Sequence, residues 1–249
     1  MKKIFFFVFL ISSTVFSQKT GKAFKEGEYL KFKITYGLLS AGFITLEVKS
    51  VSKNQMNLYH VNGRGWTNGM VDLVFSVEDN YQTYIDQKTL RPYHFIRKVD
   101  EGGYLKNKEI YFDFLKHQAK VIDHKHSSQN YFFIQNDVHD MLSSLYFLRS
   151  LNFAALKTGD IIGFNMFFDE QMNKINLRFK GREYIQTKFG KVKTLVFKPM
   201  VQTGRIFKDK ETVTLWITDD KNKIPIKVKA NILVGSIKAE LIETKGLAN

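Results

Sequence analysis

The residues best suited to chemistry are few and scattered. Asp219 and Asp220 are the strongest carboxylate pair in the chain. General acid–base work needs two carboxylates on one reacting centre. Neighbours on a strand point to opposite faces, so in a turn ahead of Ile224-Pro225 the expected role of this pair is capping and bending the backbone, with Asp219 kept as a ligand-binding candidate. His124 and His126 would share a face of a strand, and His117 could join them across a hairpin. Three imidazoles suit zinc or copper. The stretch is rich in Asp, Lys, Ser and Gln, as an exposed turn would be, so no metal site and no cofactor are expected.

Asn62-Gly63-Arg64-Gly65-Trp66-Thr67-Asn68-Gly69 sets three glycines around a tryptophan and an arginine. It matches neither the phosphate-cradling loop nor the dinucleotide pattern. It is expected to bend a curved sheet, with no helix after it, leaving Arg64 and Trp66 to line an opening. Asp140, Ser143, Tyr146 and Arg149 advance by three and form a polar seam along a helix. The seam reads as the edge of a core helix that plugs or covers a curved sheet; if instead it faces a cavity, Arg149 is the anion-binding group, with Asp140 and Tyr146 beside it. His139 beside Asp140 could pair a base with its orienter, but helical neighbours diverge by about 100°. No cysteine nucleophile, Gly-x-Ser-x-Gly elbow or His-Glu-x-x-His helix occurs, and no catalytic residue is assigned.

The seam belongs to a helix predicted over 137–151, capped by Asn136 or Asp137. Val138, Met141, Leu142, Leu145, Leu148 and Leu151 make its apolar stripe. Strands are expected on both sides, in a β region over 27–133 and another over 156–244. Alternation is clear over 28–36, 41–51 and 212–218, and runs such as 56–61, 75–85, 104–114, 161–168, 173–184 and 192–200 supply further strands. Asp100-Glu101-Gly102-Gly103 and Lys188-Phe189-Gly190-Lys191 read as hairpin tips. Short links and one mid-chain helix predict a mainly β fold: a single curved antiparallel sheet or open β-barrel with one amphipathic helix packed in or across it.

Met1-Lys2-Lys3, an apolar run from Ile4 to Ile11 and Val15-Phe16-Ser17 read as a cleavable signal peptide, cut after Ser17. The run is too short for a permanent anchor, and no later stretch suits a transmembrane helix. No cysteine follows for lipoprotein attachment. A cysteine-free exported chain of this size fits a bacterial periplasm. The formal charge is +14, of which Lys2 and Lys3 supply two. Such a balance suits anionic lipid, lipopolysaccharide or another acidic polymer, and in that compartment excludes nucleic acid.

Gly27-Glu28-Tyr29-Leu30, Tyr36-Gly37-Leu38-Leu39-Ser40-Ala41-Gly42, the helix segment 140–149, Trp216-Ile217-Thr218-Asp219-Asp220 with Ile224-Pro225-Ile226-Lys227, and Val234-Gly235-Ser236 resemble, in the same order, the bacterial family called domain of unknown function 3108. The resemblance implies an exported, β-rich envelope protein and brings no reaction. Its implied shape is comparable to the open barrels with an internal helix that carry lipids or lipoproteins across the periplasm. The expected function is a non-enzymatic binding or carrier protein for an apolar or anionic envelope molecule. The 14% aromatic content and a sheet able to enclose a cavity motivate it. The alternatives are a structural or assembly factor that binds another envelope protein through a sheet edge, and a hydrolase of envelope polymer using Asp219 or Asp220.

Overall fold

The computed structural model describes residues 22–200, 213–232 and 235–249. Met1–Ser17, read above as a signal peptide, Thr212 and Val234 lie outside them. The first half is a meander of eight strands: β1 (Tyr29–Tyr36), β2 (Leu39–Lys53), β3 (Met56–Thr67), β4 (Glu78–Asp86), β5 (Pro92–Glu101), β6 (Tyr104–Asp113), β7 (Gln118–Asp123) and β8 (Ser128–Phe133). A short helix, α1 (Gly69–Val74), sits between β3 and β4. The two-residue β9 (Val138–His139) and helix α2 (Met141–Ser150) lead into the second half. That half is β10 (Ile161–Phe168), β11 (Gln171–Thr187), β12 (Gly190–Met200), β13 (Val213–Thr218), β14 (Pro225–Asn231) and β15 (Ser236–Lys245).

All fifteen strands form one sheet in the order β8-β7-β6-β5-β4-β3-β2-β1-β15-β14-β13-β12-β11-β10-β9. Two meanders are therefore joined where β1 pairs antiparallel with β15, from Tyr29↔Lys245 to Tyr36↔Ile237. The ladder stays open, with β8 and β9 as its terminal strands. Bulges at Lys31/Phe32, Ile34/Thr35, Tyr84/Ile85, Phe179/Gly181 and Trp216/Ile217 increase its local twist and bend. The curvature brings the halves together through side chains. Phe132 of β8 packs on Phe167 of β10. Asp169, in the β10–β11 turn, accepts from Arg97 at 2.7 Å and Lys106 at 3.0 Å, and Glu170 accepts from Lys108 at 2.6 Å.

The expected mainly β fold with an open curved sheet is what the chain adopts. Two details differ. The helix begins three to four residues later than predicted. Asp140 is its N-cap: Oδ1 accepts from the backbone N–H of Leu142 and Ser143, and the Asp140 N–H donates to Ser143 Oγ. Asp137 is instead bonded to the Asn165 side-chain amide, and Val138 and His139 pair with β10. The second difference is α1, which follows the glycine-rich stretch where no helix was expected.

Helix α2 joins two apolar clusters. Leu142 and Tyr146 pack with Leu30, Val48, Val61 and Ile85 of the first half. Leu148 packs with Phe164, Phe179, Leu195 and Phe197 of the second. The polar seam is the most deeply buried part of the helix: Asp140, Ser143, Tyr146 and Arg149 are all fully inaccessible.

Candidate functional site

The end of α2 closes one end of the sheet. Arg149 and Glu28 are both 0% exposed and form a two-pronged ion pair, Nη1 to Oε1 at 2.6 Å and Nη2 to Oε2 at 2.7 Å. Arg149 Nε also donates to the Asn222 carbonyl and Nη2 to the Ala23 carbonyl. Its guanidinium lies over the rings of Phe24 and Tyr146. The alternative in which Arg149 presents a cation to an external anion is corrected by this geometry: the helix is a core element, and the anion Arg149 holds is the chain's own Glu28. Asp140 is likewise internal. Thr83 Oγ1 donates to its Oδ2 at 2.6 Å, in addition to the two cap bonds. Burial outweighs these donors and raises its pKa to about 6. Tyr146 stacks edge-on against Phe24 at 4.6 Å, and burial raises its hydroxyl well above the usual range.

Asp219 sits in the β13–β14 turn at the same end of the sheet as Asn222. It is ion-paired with Lys193 at 2.9 Å and Arg182 at 3.3 Å. Asp220 Oδ1 accepts from Thr218 Oγ1 and from the N–H groups of Asn222 and Lys223, the capping work read for this turn. The three histidines take separate partners. His117 stacks on Phe133, His124 Nε2 meets Glu109 Oε1 at 2.9 Å, and His126 Nδ1 meets Asp123 Oδ2 at 2.9 Å. Among the described residues, no group of three or more His, Asp or Glu is placed to hold a metal.

The structure brings Arg64 and Trp66 together in a cleft of about 230 Å³, with Thr67 beside them, Asp72 and Ser76 from α1 and the turn after it, and Glu78, Asp79 and Asn80 from β4. The strand register builds it: Arg64 lies opposite Asn80, Gly65 opposite Asp79 and Trp66 opposite Glu78. Side chains of Arg64 and Trp66 fall on one face because they are two apart on a strand. Trp66 rests on Phe43 of β2, ring centres 5.9 Å apart. Asp72 ties the α1 wall down, accepting from Thr67 Oγ1 at 2.6 Å and Ser76 Oγ at 3.1 Å. Thr67 Oγ1 in turn accepts from the Val77 N–H. The pKa of Asp79 is raised to about 6, first by burial and then by the neighbouring Glu101 carboxylate.

The volume is below the range of roughly 300–1,000 Å³ typical of drug-sized ligands and fits a head group. On the Trp66 side its walls set two carboxylates, Asp72 and Glu78, against the one guanidinium of Arg64, so the cleft does not favour an anion. An indole face with carboxylate and amide acceptors suits hydroxyls or an amine. Asp72, Glu78 and Asp79 were not singled out in the sequence. Their only trace there is their place just after the glycine-rich stretch; α1 brings Asp72 to the cleft, and the β3–β4 register sets Glu78 on the Trp66 face and Asp79 on the opposite one, beside Gly65.

No helix of the described residues is long and apolar enough to cross a membrane. No curated protein matches the chain. A β-barrel-like protein of a different family of unknown function, DUF1849, from Brucella abortus superposes with a TM-score of 0.60 at 11% identity, covering 91% of this chain and 100% of that one. A structure from Parabacteroides distasonis, provisionally described as a lipoprotein, aligns over 92% of this chain and 100% of that one at 13% identity, with a TM-score of 0.33. The family model of DUF3108, a protein of unknown function, matches residues 31–242, and the chain belongs to that family.

Proposed function

We propose that this is an exported, non-enzymatic binding protein of the bacterial envelope that holds an amphipathic molecule at the rim of its sheet. One observation carries the reading: the Trp66 cleft, polar and head-group-sized, opens beside exposed Met70, Leu73 and Val74 of α1. A head group in the cleft would leave its apolar chain lying against those side chains. The cleft's carboxylates move the expected ligand away from an anion, toward a hydroxyl- or amine-bearing head. The leader at Met1–Ser17 supports export.

Native mass spectrometry of gently purified protein, followed by solvent extraction, tests this. The expected result is a lipid-sized adduct on the natural chain that is lost in Trp66→Ala. A bare polypeptide mass, or an adduct indifferent to Trp66→Ala, overturns it.

A second reading rests on β8, a terminal strand of the sheet with Tyr131 and Phe133 exposed. Such an edge is a template for a partner's strand. Crosslinking from a photoreactive residue at 131 that recovers an envelope protein supports an assembly role, and recovery of none counts against it.

A further inference from the structure

We infer that the rim carrying the cleft docks the protein onto an anionic lipid surface, with the tips of three alternate loops entering the interface. Leu38 at the β1–β2 turn is fully exposed, at 102%. In α1, Met70, Leu73 and Val74 are 81%, 87% and 89% exposed. Tyr104 and Leu105 stand out beside the β5–β6 turn. Alternate turns of an antiparallel meander lie at one end of the sheet, so all three groups share a rim.

Backbone bonds make that rim continuous. The Asn68 N–H donates to the Ala41 carbonyl, fastening α1 to the first hairpin. The Gly102 N–H donates to the Ser76 carbonyl, and Val77 bridges Glu101, fastening it to the third. The Phe75 ring covers Gly102 so closely that a β-carbon there would lie 2.7 Å from it.

Helix α1 has no buried residue. A six-residue helix does not hold itself together in water. This one is pinned by Thr67, Asp72 and Ser76 on its polar side, and its apolar side chains are turned out. A core helix does the reverse. Separate protruding tips form no groove for a protein segment, whereas a bilayer interface accepts apolar protrusions of any outline. Tyr36, Trp66 and Tyr104 lie along the same rim, and such rings settle at the boundary between water and hydrocarbon. The rim itself is of mixed charge: Arg64 lines the cleft with Asp72 and Glu78, and Lys125 Nζ donates to the Leu105 carbonyl. Attraction therefore comes from the excess on the mature chain, +14 less the two charges of Lys2 and Lys3, or +12, which acts at longer range. Docking does not require a ligand in the cleft.

Flotation with vesicles of phosphatidylethanolamine and a minority of phosphatidylglycerol tests the inference. The purified protein is expected to float with the vesicles at low ionic strength. Leu38→Ser with Leu105→Ser, two tips that lie outside the proposed ligand contacts, is expected to weaken this by roughly tenfold, from the apolar area withdrawn. Both side chains are exposed, and unchanged circular dichroism would establish that the variant folds. The same variant should keep any adduct seen by native mass spectrometry, which separates failure of docking from failure of ligand binding. No association of the natural chain, or association that salt removes and the tip substitutions leave unchanged, overturns the inference.

Discussion

Removing one partner of the Arg149–Glu28 pair should be among the most damaging single changes available to this fold. Both groups are completely buried, bridged by bonds of 2.6 and 2.7 Å, and Arg149 additionally satisfies the carbonyls of Asn222 and Ala23. Arg149→Met strands a carboxylate and two carbonyls without donors, and Glu28→Gln strands a guanidinium. Breaking a buried pair from one side costs about 3–5 kcal/mol, a large share of a total stability of roughly 5–15 kcal/mol. The double variant removes both charges and leaves mainly the two carbonyls, at about 1–3 kcal/mol each. At about 2–6 kcal/mol it should cost about as much as one single change rather than the roughly 6–10 of the two added, giving a coupling of about 4 kcal/mol. Urea unfolding followed by the fluorescence of Trp66 and Trp216 measures all four corners of the cycle. Single costs below about 1 kcal/mol that simply add would refute a structural pair and return Arg149 to consideration as a ligand group.

Asp140 should leave a pH signature. Its folded pKa of about 6 lies above the ordinary 3.8, so the unfolded chain releases this proton first, and between those values the folded state binds more protons. Stability from this group is full below about pH 4 and declines as pH rises through about 6. Asn caps a helix about as well as Asp, so the stability advantage of the natural chain over Asp140→Asn should be greater at pH 4 than at pH 7. Urea midpoints at the two pH values check the sign. Gly42→Ala should also destabilise, by about 1–3 kcal/mol, because its β-carbon would meet the Trp66 carbonyl at 2.1 Å. Thermal unfolding measures that loss.

The strands were legible because a sheet with distinct faces writes a period of two into its sequence, as in Tyr29–Tyr36. The helix was legible as an element but not in its orientation. Tyr146 and Arg149 look like the edge of an amphipathic stripe, and only distant partners make them core. Glu28 is 121 residues away from Arg149, and Thr83 is 57 from Asp140. The cap moved for a similar reason, since Asp137 is occupied by Asn165, 28 residues on. Helix α1 left no periodic pattern because it buries nothing. Half of the cleft was visible as an arginine and a tryptophan among glycines. The acidic half came from the return strand, and with it the preference against an anion.

The most direct measurement uses Trp66 itself. The chain has two tryptophans, so Trp216→Phe leaves Trp66 as sole reporter. Its emission is titrated with lysophosphatidylethanolamine, with dodecyl maltoside below its micellar concentration, and with dodecyl phosphate as the anionic control. The expected result is a saturable change with an amine- or hydroxyl-headed amphiphile, weaker with the phosphate and lost in Glu78→Ala, whose side chain shares the Trp66 face. Emission that none of the three moves saturably, or that the phosphate moves most strongly, contradicts a head-group site at this cleft.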